Sequence, residues 1–132
     1  MNPGVTRIFE RSCQNCHSER TDWPWYSYVA PLSWLIESDV HAGRSHMNLS
    51  RWQDYTVDQQ VELLTKLAVE VRNRRMPLPK YLQLHPEARL SNRDVEELYR
   101  WAHGERQRLR HAANSTARTP SHAHQQAAPD TN

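Results

Sequence analysis

Two thiols and an imidazole stand within five residues, Cys13-Gln14-Asn15-Cys16-His17, and these are the only two cysteines among 132 residues. C-x-x-C followed at once by His is the attachment pattern of c-type haem. One helical turn presents both sulfurs to the two vinyl positions of the macrocycle, and the adjacent imidazole then lies over the iron. Other chemistries use the same residue types. A C-x-x-C redox pair expects a βαβ pattern around it, which the flanking sequence lacks. A tetrahedral zinc site would draw on Cys13, Cys16, His17 and a distant fourth ligand, although adjacent Cys16 and His17 are awkwardly placed to share one ion. A disulfide or a pair of free thiols is the inert alternative.

Iron in an electron-transfer haem takes six ligands, so a second axial side chain must come from elsewhere in the chain. Met47, Met76 and the histidines at 41, 46, 85 and 103 are the candidates. Met76 is the strongest: it directly precedes Pro77 in the stiff run Met76-Pro77-Leu78-Pro79, 59 residues after His17, which is enough chain to reach the opposite haem face. A thioether on a rigid loop is presented without a large ordering cost. The alternative for Met76 is a gap-filling core residue. His46 or Met47 is the substitute ligand; His85, before Pro86, reads as a structural or surface residue, and His103 as a surface or helix-end residue. His122 and His124 lie in a tail and are discounted. No nucleophile stands at convincing spacing from a base, so the reading is of a haem-binding module and not an enzyme. Weak peroxidase activity would arise wherever the distal ligand leaves.

The elements that must position these groups read as helices. Val5, Ile8 and Phe9 recur at spacings of three and four, with Phe9 one turn before Cys13. The segment 20–31 holds Trp23-Pro24-Trp25-Tyr26, where Pro24 argues for an irregular loop lying against the ring. Candidate wall residues are Trp23, Trp25, Tyr26 and Trp52. Pro31 suits the first position of a helix striped by Leu32, Leu35, Ile36 and Val40, and Gly43 is placed to end it. Residues 44–54 are polar and turn-like. Thr56 with Gln59 forms a capping box before Val61, Leu64, Leu67, Ala68 and Val71, predicting a helix over 57–73. The stretch 75–90 reads as a loop, because two prolines two apart preclude regular helix. Ser91 with Asp94 then opens a helix on Val95, Leu98, Trp101 and Ala102, running to about Arg110. The expected architecture is all-α, a domain over 1–111 wrapped around one haem, with a disordered tail over 112–132 in which no apolar residue is larger than Ala.

Composition agrees. Mean hydropathy is −0.93, so the polypeptide alone buries a thin core that a haem would complete. Five Trp and five Tyr against one Phe suit a pocket with an apolar body and a polar rim. A net charge of +2 is too balanced to argue for nucleic acid. Arg44, Lys80 and Tyr81 are candidates to hold the haem propionates. No apolar run is long enough for a membrane span, and residues 1–12 lack the apolar centre of a secretory signal. Because covalent haem attachment takes place outside the cytoplasm in bacteria, a periplasmic or otherwise extracytoplasmic location is expected, with an export signal or upstream anchor lost from this sequence or missed at its start.

Taken in order, Cys13 to Ser18, Thr21 to Ser27, Asp39 to Arg44, Asn48 to Trp52 and Met76 to Tyr81 match C-x-x-C-H-S, T-x-W-P-W-Y-S, D-V-x-x-G-R, N-x-S-x-W and M-P-x-x-x-Y. This run, over about residues 5 to 103, resembles the bacterial haem-binding domain family, and more broadly the small class I cytochrome c fold. The resemblance implies a monohaem c-type cytochrome with Cys13 and Cys16 as attachment points, His17 as proximal and Met76 as distal iron ligand, and crossed first and last helices. One-electron transfer with an unidentified redox partner protein is the implied role. A haem-based sensor or gas-binding module, needing a weakly held or open distal position, and a zinc-stabilised interaction domain are the alternatives.

Overall fold

Helix starts are set by side chains that satisfy N–H groups the helix itself leaves unpaired. The computed structural model describes residues 2–118, and every regular element among them is helical. Helix α1, Pro3–Ser12, opens with the Asn2 side chain accepting from the Gly4 N–H at 2.8 Å. Helix α2 is the single turn Gln14–His17, and α3 spans Leu32–His46. Helix α4, Val57–Arg72, carries the expected capping box: Thr56 Oγ1 accepts from the Gln59 N–H, and Gln59 Oε1 accepts from the Thr56 N–H. Helix α5 is Pro79–Leu84. Helix α6, Asn92–Ala117, starts on the Ser91–Asp94 capping box. Short 3-10 turns at Trp25–Tyr28, Leu49–Asp54 and Pro86–Ala88 connect them.

The core forms where α6 meets α1 and α4. Val5, Ile8 and Phe9 from α1, Leu64, Ala68 and Val71 from α4, and Val95, Leu98 and Ala102 from α6 are all buried. Each large side chain among them contributes about 1.5–3 kcal/mol. Phe9 stands edge-on to Trp101, 5.3 Å between ring centroids, and Arg11 pairs with Asp94 at 2.9 Å across the α1–α6 contact. The first and last helices thus pack together, and their junction fixes the point from which the C-x-x-C-H turn departs.

Several boundaries differ from the sequence reading. Pro31 lies just outside α3 as its N-cap, and α3 continues through Gly43 to His46. The 75–90 stretch is not all loop: Pro79 occupies the first position of α5, where a missing N–H costs nothing. Helix α6 runs on to Ala117, past both the expected helix end and the expected boundary of the domain at 111. Ala112, Ala113 and Ala117 bury nothing, yet alanine extends an existing helix at almost no cost. The remainder of the expected tail, residues 119–132, lies outside the described residues.

Candidate functional site

The C-x-x-C-H segment is a turn of helix hung from the end of α1. The Cys13 N–H donates to the Phe9 carbonyl at 2.9 Å, ending α1, and the His17 N–H donates to the Cys13 carbonyl at 3.0 Å, closing α2. That turn forms one wall of an apolar cavity of about 720 Å³, within the range of small-molecule and cofactor sites. Cys13, Cys16 and His17 line it on one side, Leu32, Leu35, Ile36 and Val40 of α3 and Leu63, Leu67 and Val71 of α4 on others, and Met76, Leu78, Tyr81 and Leu84 beyond them.

His17 is held in one orientation by the backbone. Its Nδ1 lies 3.0 Å from the Met47 carbonyl oxygen, and a carbonyl only accepts, so the Nδ1 carries the proton and Nε2 keeps a free lone pair. Backbone anchoring of this kind fixes the tautomer and orientation of metal-binding histidines. Gly43 lets α3 close on the same turn: a Cβ there would sit 2.6 Å from the Cys16 carbonyl oxygen. Beside it, Arg44 donates from Nε to the Ser18 carbonyl at 2.8 Å and from Nη2 to Thr21 Oγ1 at 3.0 Å, while Thr21 Oγ1 donates to the Asn15 carbonyl at 2.7 Å. These bonds fold the segment after His17 back over the motif. Burial pushes the Cys13 thiol up to about 12, with a contribution from Cys16, and burial likewise raises Cys16. Both are therefore thiols at neutral pH.

Met76 is delivered by the end of α4. Arg74 adopts the left-handed conformation (φ 57°) that reverses the chain. Its guanidinium donates to the Leu90 carbonyl at 2.6 Å and to the Asn92 side chain, tying together the two ends of the segment that carries Met76. Arg75 forms a two-pronged pair with Glu70 at 2.9 and 2.7 Å.

Of the candidate residues, Cys13, Cys16, His17, Met76, Tyr26 and Tyr81 line one cavity. Lys80 lines it too, paired with Asp39 of α3 at 2.8 Å. Four do not line it. Trp23 and Trp25 point away, 42% and 79% exposed, because the 3-10 turn after Pro24 directs Tyr26 inward in their place. Trp52 packs against the core and edge-on to Tyr55, and the Arg44 guanidinium is engaged by Ser18 and Thr21. His46 and Met47 lie at the cavity on the His17 side, where Met47 supplies the anchoring carbonyl; His103 is exposed. Sequence reasoning missed His85 as a cavity residue. It stacks on Tyr81 at 4.4 Å between ring centroids, and the Tyr81–His85 spacing of four was the available signal. Among the described residues no cluster of three or more His, Cys, Asp or Glu side chains is arranged to hold a bare metal ion, and no helix is long and apolar enough to cross a membrane.

A planar macrocycle fits this donor set: two thiols and a pre-oriented imidazole at one wall, a thioether on a separate pinned segment, and aliphatic walls between. The fold and site define a cytochrome-like haem-binding protein. The profile of the haem-binding domain family matches residues 1–104. The chain belongs to that family, and haem is its cofactor. It is also similar to the cytochrome c peroxidase of Escherichia coli (strain K12), 26% identical over 125 residues. That match covers 91% of this chain and 26% of the relative, so the chain spans about a quarter of that protein's length. No solved structure matches.

Proposed function

We propose that this protein is a monohaem c-type cytochrome that transfers single electrons, with Cys13 and Cys16 bonded to the haem and His17 and Met76 as axial ligands. The observation that carries the reading is the His17 Nδ1 bond to the Met47 carbonyl, which leaves Nε2 as the ligating atom in a cavity that both cysteines and Met76 also line. Bound haem supplies an Fe(III)/Fe(II) couple, and His/Met ligation favours the reduced state relative to two histidines. The chain's own contribution is to hold ligands and exclude water. The Met47 carbonyl orients His17, Arg74 pins the Met76 segment, and the aliphatic faces of α3 and α4 lower the local dielectric. Lys80 and Tyr81 are the residues proposed to meet the propionates. The proposal includes an extracytoplasmic location, where covalent attachment is carried out, and a redox partner protein.

Similarity to a cytochrome c peroxidase supports a second reading, peroxide reduction, which needs Met76 to vacate its position. Absorption spectroscopy and redox titration separate the readings. The carrier reading predicts a six-coordinate haem that cycles reversibly, and a five-coordinate haem with a lowered potential in Met76→Ala. A five-coordinate wild-type haem would overturn it in favour of a peroxidase, or of a sensor or gas-binding module.

A further inference from the structure

Tyr26, His85 and Glu87 form a hydrogen-bonded chain running from the cavity wall to solvent. The Tyr26 hydroxyl bonds to His85 Nε2, and His85 Nδ1 lies 2.9 Å from Glu87 Oε1. Glu87 is an acceptor when ionised, so the neutral His85 ring carries its proton on Nδ1, and Nε2 takes the Tyr26 proton as acceptor. Tyr26, Tyr81 and His85 all line the cavity, while the Glu87 side chain is 62% exposed. His85 and Glu87 are two residues apart at the end of α5 and in the Pro86–Ala88 turn, and the fold brings Tyr26, from the turn after Pro24, onto that local pair.

From this arrangement we infer that His85 is a proton-binding site coupled to the haem electron, so that reduction of the protein takes up a proton at His85 Nε2. The inference rests on the one-electron reading above. The electron comes from the redox partner and the proton from water, and the proton adds at the Tyr26-facing Nε2 because Nδ1 already carries one against Glu87. One N–H bond forms on His85, none breaks in the protein, and the Tyr26 hydroxyl turns from donor to acceptor. The imidazolium then lies between the Tyr26 oxygen and the Glu87 carboxylate, and its charge offsets the added electron in a site of low dielectric.

The other groups facing His85 keep fixed protonation states. Burial, with the Glu87 charge, raises Tyr26, and burial raises Tyr81, so both phenols stay protonated. The Glu87 backbone N–H and the His85 ring hold the Glu87 carboxyl below its usual range, so it stays ionised. Lys80, at the same wall, is paired with Asp39. An imidazole is the remaining member of the cluster with an ordinary value between pH 5 and 8.

The test is the midpoint potential of the haem-loaded protein from pH 5 to 8. It is expected to fall with rising pH, approaching about 59 mV per unit, the tenfold equivalent for a one-electron couple, within the window set by His85. His85→Gln should flatten that dependence, and Glu87→Gln, which removes the anion that stabilises the imidazolium, should move the window to lower pH. An unchanged slope in His85→Gln would overturn the inference and assign the protons to other groups such as propionates. Should that variant misfold, NMR titration of the His85 ring in the wild-type protein decides: a higher midpoint in the reduced than in the oxidised state supports the coupling, and equal midpoints refute it. A protein that cycles reversibly with no pH dependence sinks this inference alone, whereas one that does not cycle sinks the carrier reading.

Discussion

Gly43→Ala tests whether the C-x-x-C-H turn is held by close helix packing. In an open helix the change would be favourable, since alanine exceeds glycine by about 1 kcal/mol in helix propensity. Here the new Cβ would fall 2.6 Å from the Cys16 carbonyl oxygen, 3.1 Å from its carbon and 3.2 Å from its Cβ. The first two are backbone, which cannot swing aside, so α3 and α2 must separate. Overpacking of this kind costs about 1–3 kcal/mol, and more than the propensity gain is expected at so short a distance. The prediction is a net loss of about 1–2 kcal/mol, a fall in Tm of roughly 4 °C per kcal/mol, together with reduced haem loading, because the displaced turn carries both thiols and His17. Gly104 is the control: nothing lies within 4 Å of its Cβ position in α6, so Gly104→Ala should stabilise by about 0.5–1 kcal/mol. Thermal unfolding of both variants reads the difference. A Gly43→Ala protein as stable as wild type and fully loaded would refute the packing argument.

Other perturbations follow from single observations. Leu98 is completely buried between α1 and α4, so Leu98→Ala should cost about 2–5 kcal/mol in denaturant unfolding, with the haem contacts themselves untouched. Burial works against ionisation of Asp94, but the Ser91 backbone and side chain and the Arg11 guanidinium outweigh it and hold the carboxyl below its usual range. A depressed folded value means stability present above the unfolded pKa, about 3.9, and lost as pH falls through the lower folded one. Urea midpoints should therefore drop from about pH 4 downward more steeply in wild type than in Asp94→Asn. Arg44→Ala removes the bonds to Ser18 and Thr21, and limited proteolysis within residues 18–24 should accelerate; unchanged cleavage would show that the segment is held by something else.

Much of the fold was legible in sequence because it is written in short-range chemistry. The Thr56–Gln59 and Ser91–Asp94 boxes set two helix starts, and apolar residues at helical spacing marked the faces of α1, α4 and α6. What escaped was decided by tertiary contact. Gly43 looked like a helix stop, but it is small because the Cys16 backbone passes against it. Pro79 looked like a breaker and is a helix start. The tryptophans suggested walls by their size, yet Pro24 sets the following turn so that Tyr26, between Trp25 and Ser27, faces the cavity. His85 carried no periodic signal strong enough to separate a cavity residue from a surface one, since Tyr26, the partner on its cavity side, is brought to it only by the fold.

The central claim is that the two thiols of the C-x-x-C-H turn are bonded to haem. The direct measurement is the intact mass of the denatured chain, produced with an export signal in cells that mature c-type cytochromes. A chain heavier by one haem, with the addition lost when Cys13 and Cys16 are both replaced by Ala, is the predicted result. A chain of polypeptide mass alone, from cells in which a control cytochrome matures, would contradict it.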